Sequence, residues 1–334
     1  MFDKFQEVKL KIALFEIIRG FTVIDVGRHK SIYVKHFTFI DTASIDLKYA
    51  EAYKFAIGKG LPLIDEQIKT AIGNNTWTEK QEKRYSEIPA EINTLKLTKS
   101  KLFLKRELDS INSEIETLEK ELLRLEYERS EVVGYTAEIF ATKKANEHAI
   151  YYSFRGKNLD TFYFSEEEYE TFSNEEISNL IVGHAGYVAK FTPKEMKRIA
   201  ISTAFMNMIY LAGEDIMSFF GKPVLELTNR QMEVYNLGRY FKNLMAEYKG
   251  TITDDLLADP DKFIEAAENT KTAQNFADKL DNKESSGTAI VGATKEDIEK
   301  LGLTKEAGTI SLADEASKKG GSLSMEELMK LHGY

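Results

Sequence analysis

Between Ile111 and Val133 the chain reads INSEIETLEKELLRLEYERSEVV. Aliphatic side chains return at Ile111, Ile115, Leu118, Leu122, Leu125 and Val132, Arg129 fills one apolar slot, and most of the rest is charged. Three-four spacing held over that length admits a long helix with one narrow apolar stripe and little else. An earlier phase runs through Ile88, Ile92, Leu95 and Leu102, with Lys99 at the skipped position. The two phases do not join. After Leu102 the first requires its next core position at Arg106, whereas the second begins at Leu108. That two-residue slip is not one a continuous coiled coil absorbs. Residues 98–105 therefore read as a turn between antiparallel arms, the second continuing towards Ala149. The competing reading is one helix whose face rolls. A hairpin buries Leu118, Leu122 and Leu125 against its own other arm. Pairing between two chains would instead make them protein-binding residues.

The remaining pattern is also mostly helical. Only five prolines occur and 30% of residues are charged, which suits long helices better than a β-sandwich. Residues 2–19 place Phe5, Val8, Ile12 and Phe15 on one helical face. FTVIDVG and SIYVKHF read as two strands around Gly27, a small hairpin. Helical period returns from Thr42 until GKGLP, and DEQIKTAI is a further short helix before GNN. Thr78 with Gln81 has capping-box spacing, and Trp77 just ahead of it reads as a wedge at the hairpin base. Ser165 with Glu168 and Ser173 with Glu176 start two short helices reaching about Val182. Thr192-Pro193-Lys194-Glu195 opens one long apolar helix closed by Gly221 and Pro223, the expected centre of a bundle. Thr228 with Gln231 starts the next, whose buried side would carry Met232, Tyr235, Tyr240, Phe241 and Leu244. The expected fold is mainly α: a helical body with a projecting antiparallel hairpin, a small N-terminal β-hairpin and a flexible C-terminal tail. Its segments would be 1–76 (α+β), 77–150 (hairpin), 151–250 (bundle) and 251–334 (acidic tail).

Charge divides the chain unevenly. Residues 251–334 hold 17 acidic and 10 basic side chains, so −7 of the net −9 lies there. A nearly balanced body with an acidic tail argues against nucleic acid as a partner, which needs clustered Lys and Arg. From Ala273 to Gly321 the composition is acidic and small, with one aromatic, Phe276, and predicts disorder. LSMEELMKLHGY then regains helical spacing, with Leu323, Met325, Leu328, Met329 and Leu331 as a docking surface for a partner protein. A frayed terminus is the plain alternative. No run approaches the roughly 20 apolar residues of a membrane span, and charged residues interrupt the first twenty, so no membrane role is expected.

Reactive chemistry is hard to find. There is no cysteine, which removes disulfides, thiolate nucleophiles and cysteine zinc sites. His29, His36, His148, His184 and His332 never fall at metal-binding helical spacing. VGHAG, around His184, lacks the residues of a phosphate loop and reads as a turn between helices. Asp254-Asp255 and Glu166-Glu167-Glu168 read as helix starts. Tyr151, Tyr152, Phe154 and Arg155 could stack bases but fit core packing better. No catalytic residue, cofactor or metal is expected.

Residues 32–82, IYVKHFTFIDTASIDLKYAEAYKFAIGKGLPLIDEQIKTAIGNNTWTEKQE, run from a strand to a helix with paired tyrosines, then G-L-P, a short helix, and W-T-E at the head of a charged hairpin. This resembles structural and assembly proteins of the tail-gene clusters of large tailed bacteriophages. FGKPVLELTNRQMEVYNLGRYFKNLM resembles the closing helices of that set, so the likeness covers about residues 30–245. It implies a non-enzymatic tail or baseplate component, or a tail-assembly chaperone. Other virion or assembly proteins, or further copies of the chain, would be its partners. Its place would be the host cytoplasm during assembly, or the finished tail. It transfers no site residues. An enzyme or nucleotide-binding regulator with a site around residues 151–184, and a host coiled-coil adaptor, are the competing readings.

Overall fold

The structure, a computed structural model, describes residues 4–27, 29–102, 104–212, 215–281 and 315. Along the chain run α1 (Lys4–Arg19), β1 (Phe21–Val26), β2 (His29–Lys35), α2 (Phe39–Gly58), α3 (Ile64–Gly73), α4 (Glu79–Lys99), α5 (Lys105–Val133) and α6 (Ala137–Ser153). Then follow β3 (Phe154–Arg155), α7 (Glu166–Glu170), α8 (Asn174–Ala189), α9 (Pro193–Ile201), α10 (Thr203–Ala212) and α11 (Ile216–Phe220). A single 3-10 turn (Val224–Glu226), α12 (Asn229–Glu247), α13 (Asp254–Ala258) and α14 (Pro260–Asp281) complete it. The protein is mainly α, as its pattern predicts. The described residues form two compact units, one from within 4–78, 129–247 and 251–263, the other from within 79–128, 248–250 and 264–281. This differs from the four segments read off the sequence. Segments 1–76 and 151–250 share one sheet, because β3 pairs antiparallel with β2, Tyr33 opposite Arg155.

In the first unit, β1 and β2 pair antiparallel from Phe21–Lys35 to Ile24–Ile32, with an irregularity before Val26. Val26, Ile32, Val34 and Phe154 are buried. Asp41 anchors the start of α2. Its carboxylate accepts from Thr38 N (2.8 Å), Thr38 Oγ1 (2.9 Å), Lys35 Nζ (2.8 Å) and the Tyr152 hydroxyl (3.0 Å). Burial pushes this carboxyl up, but the Lys35 and Thr38 bonds outweigh it and hold it below its ordinary range. Helices α2 and α6 approach through small residues, with Ala52, Ala56, Ala137, Ala141 and Ala145 buried and Phe55 stacked on Phe140.

Three expectations in this unit are corrected. VGHAG is no turn: Gly183 to Gly186 lie inside α8, and a Cβ at 183 would collide with Val26 Cγ2, so glycine serves a close helix–strand approach. The long apolar helix is three. Ser202 leaves helical geometry, donating its hydroxyl to Ile199 O (2.6 Å) and accepting from Phe205 N (3.4 Å). Asp215 caps α11 through Met217 N and Ser218 N, and Gly221 closes it at φ +65°. Such local polar bonds compete with helix continuation. On α12, Tyr240 is exposed, whereas Val234, Tyr235 and Phe241 are buried. Gly238 brings α12 against Phe205 of α10, where a Cβ would stand 2.5 Å from Cε1.

The second unit contains the expected hairpin. Helices α4 and α5 run antiparallel, with Gln81 reaching Glu128 (3.5 Å) and Arg84 forking onto both Glu121 oxygens (3.0 and 2.7 Å). Ile88 and Ile92 are buried on one arm, and Leu108, Ile115, Leu118 and Leu125 on the other. The second arm stops at Val133, well short of Ala149. Gly134 adopts φ +63°, and the Thr136 hydroxyl accepts from Ile139 N to start α6 afresh. Helices α13 and α14 occupy residues that the sequence reading gave to the tail. Thr272 of α14 donates to Ser100 O (3.0 Å), and Glu265 pairs with Lys99 (3.0 Å).

Pro89 sits exposed inside α4. An interior proline removes one helix hydrogen bond and crowds the preceding turn. Replacing it with alanine should stabilise this unit by about 1–2 kcal/mol, less than the full proline penalty because the unfolded chain is also freed. Chemical denaturation and slower amide exchange along α4 would register it.

Candidate functional site

Helix α1 carries two apolar rows, and the fold uses one. Leu10, Leu14 and Ile17 are buried against β1, α9 and α12. The row Phe5, Val8, Ile12 and Phe15 faces outward, 66%, 49%, 53% and 53% exposed. The sequence grouped these four correctly but could not tell which row enters the core. Their 3-4-3 spacing is a two-heptad seam that stays about half exposed.

The seam is rimmed by cations. Lys9 Nζ lies 4.7 Å from the Phe5 ring centre, Arg19 is 4.3 Å from that of Phe15, and Lys11 bridges to Glu7 at 2.9 Å. Beside it runs a groove of about 560 Å³, walled by Lys9, Ala13 and Glu16 of α1, Lys190 at the end of α8, and Glu195 and Arg198 of α9. Its acids are engaged. Lys190 Nζ reaches Glu16 Oε1 at 3.1 Å, and Arg198 reaches Glu195 at 3.1 Å.

Behind Glu16 a polar chain leads inward. Thr22 Oγ1 donates to Glu16 Oε2 (3.0 Å) and stands 3.1 Å from His36 Nε2. With the hydroxyl proton spent on the carboxylate, the threonine oxygen accepts from His36, which fixes the neutral Nε2–H tautomer. His36 Nδ1 is buried with no hydrogen-bond partner. Its ring lies against Tyr187 and Phe191, and Arg230 covers both those rings at 4.8 and 4.1 Å. Burial, then the charges of Arg230 and Lys190, push the His36 imidazole down to about 3. Burial and Arg230 take His184 down to about 4. Thr22 and His36 are wholly buried, so no substrate can reach them. The chain holds α1 on the sheet rather than presenting a nucleophile.

The end of α1 is fastened by Gln231. Its amide nitrogen donates to Ile17 O (3.1 Å) and Ile18 O (2.9 Å), and its oxygen accepts from Thr228 N (2.9 Å). The Thr228–Gln231 spacing was legible as a cap, but its second use on α1 was not.

No family model matches the chain, and no curated protein or solved structure matches it either.

Residues proposed from sequence divide three ways. Leu323, Met325, Leu328, Met329 and Leu331 lie outside the described residues, as does His332. Leu118 and Leu125 are buried and Leu122 half-buried in the hairpin, which takes up the seam. The region 151–184 mixes buried rings with exposed positions, Phe162, Ile181 and Val182 among the latter. Tyr151 stacks on Phe162 (5.0 Å), Arg155 lies 3.9 Å from the same ring, and Phe154 and Phe164 are buried. Trp77 is buried, with its backbone N–H donating to Ala71 O. Among the described residues no group of three His, Asp or Glu could hold a metal ion, and no helix is long and apolar enough to cross a membrane.

Proposed function

We propose that this is a non-enzymatic structural or assembly protein of a phage tail, working through protein–protein contacts, with the outer face of α1 as a principal contact surface. The exposed row Phe5, Val8, Ile12 and Phe15 carries the reading. A helix anchored by Leu10, Leu14, Ile17 and Gln231 is a rigid platform, so a partner meets a pre-ordered seam and pays little to organise it. The likeness of residues 30–245 to tail-cluster proteins supports the phage setting. The antiparallel hairpin agrees with it as a stiff element that needs no chemistry.

Co-expression with the products of neighbouring tail genes tests this. The wild-type chain should co-purify with at least one of them, and Ile12→Asp should reduce capture about tenfold or more while circular dichroism stays unchanged, since one charge in a desolvated seam costs well over 1.4 kcal/mol. Equal capture by the variant would remove α1 from the interface. Mass spectrometry of purified particles then separates a resident tail component from an assembly factor.

A further inference from the structure

The exposed seam of α1 has a defined chemistry: aromatic and aliphatic anchors at heptad spacing, flanked by Lys9 and Lys11 with Arg19 at its end. Two copies of this helix would bring those lysines together across the contact, which disfavours α1 against α1. The complementary partner is an amphipathic helix about two heptads long with acidic flanks. Such a sequence exists in this chain. In LSMEELMKLHGY, residues 323–334, helical spacing would gather Met325, Leu328, Met329 and Leu331 on one side, with Glu326 and Glu327 at its two edges. The segment lies outside the described residues, and more than thirty residues separate it from the end of α14 at Asp281.

We propose that the outer face of α1 receives the segment 322–334 of a second copy of the chain. This rests on the reading of the protein as an assembly component and names the partner of that surface. Met325, Leu328 and Met329 lie over Val8 and Ile12, and Glu326 and Glu327 meet Lys9 and Lys11. The contact is heterologous, since a different surface of each copy takes part. It therefore propagates, giving a ring where the rotation closes and a filament where it does not. An assembly component that repeats along one axis would use a contact of that kind.

The test uses a fluorescein-labelled peptide of residues 322–334, the full chain, and a chain lacking 322–334. The truncated protein should bind the peptide, and Ile12→Asp in that background should weaken binding about tenfold or more. Val8→Glu, at a second exposed position, should do the same, which guards against a folding defect in either variant. The full chain should self-associate as its concentration rises in analytical ultracentrifugation, while the truncated chain and Ile12→Asp stay monomeric. Absence of peptide binding, or binding indifferent to both substitutions, overturns the proposal. Peptide binding with a full chain that remains monomeric at every concentration also overturns it, since the face is then covered within one molecule. Either failure leaves capture of tail-gene products by α1 as a separate result.

Discussion

Gln231→Leu should cost about 2–4 kcal/mol of folding free energy: Ile18 O and Thr228 N lose their partner at about 1–3 kcal/mol each, partly relieved by the added apolar contact, while Ile17 O keeps the Gly20 N–H at 3.1 Å. The side chain is fully buried. Its nitrogen serves the carbonyls of Ile17 and Ile18, and its oxygen serves the N–H of Thr228. The carbonyls at a helix end have no partner inside their own helix. Water cannot replace the amide at this buried position. Gln231→Glu should be no better, because a carboxylate faces two carbonyl oxygens with no proton to give. For a fold of ordinary stability, about 5–15 kcal/mol, the loss is a large fraction of the whole. Urea denaturation at neutral pH measures it, and amide exchange should rise first along α1. A loss below about 1 kcal/mol would mean that the carbonyl of Ile18 and the N–H of Thr228 find other partners, and the rigid platform beneath the exposed row would lose its explanation.

The sequence carried the helices well and their tertiary use poorly, for identifiable reasons. Caps are local chemistry, so Thr192, Ser165 and Ser173 start helices where their spacing predicts. The heptad slip near Leu102 likewise revealed a turn, because antiparallel arms need no information from elsewhere. Some failures came where a residue's role is fixed by something distant, others where a local cap was hidden in an apolar or periodic run. Gly183 looked like a breaker, yet its missing side chain makes room for Val26, more than 150 positions away. Ser202 and Asp215 were lost inside an apolar run although each is an ordinary local cap. The Gly134–Thr136 break was passed over in the same way. The candidate surface was half legible. Periodicity showed that Phe5, Val8, Ile12 and Phe15 share a face. Only packing shows that Leu10, Leu14 and Ile17 outcompete them for the core.

The same packing makes the fold acid-sensitive in a window set by histidines. His36 is held neutral down to about 3 and His184 down to about 4, against about 6.5 in an open chain. Between those values the unfolded chain binds protons that the folded chain refuses, so unfolding becomes easier as pH falls below about 6.5. Each histidine contributes a slope of about 1.4 kcal/mol per pH unit, and the pair should remove about 5 kcal/mol between pH 7 and pH 4.5. The depressed carboxyl of Asp41 does not confuse the reading, since its contribution is lost only as pH falls through its still lower native value. The structural cause is specific. An imidazolium at 36 would aim a second N–H from Nδ1 into a place with no acceptor, with Arg230 repelling it from beyond Tyr187 and Phe191. Denaturation curves at pH 7, 5.5 and 4.5 should show a slope of about two protons from this pair, to which burial-depressed His148 adds and burial-raised Glu233 is opposed, and the slope should fall by about one in His184→Gln and by about one in His36→Gln, whose amide can still donate to Thr22. A double variant with the wild-type slope would place the acid sensitivity elsewhere. The neutral imidazole would then be a passive spacer between α1 and the sheet, and the chain from Glu16 through Thr22 would owe its stability to the Lys190 ion pair at its outer end.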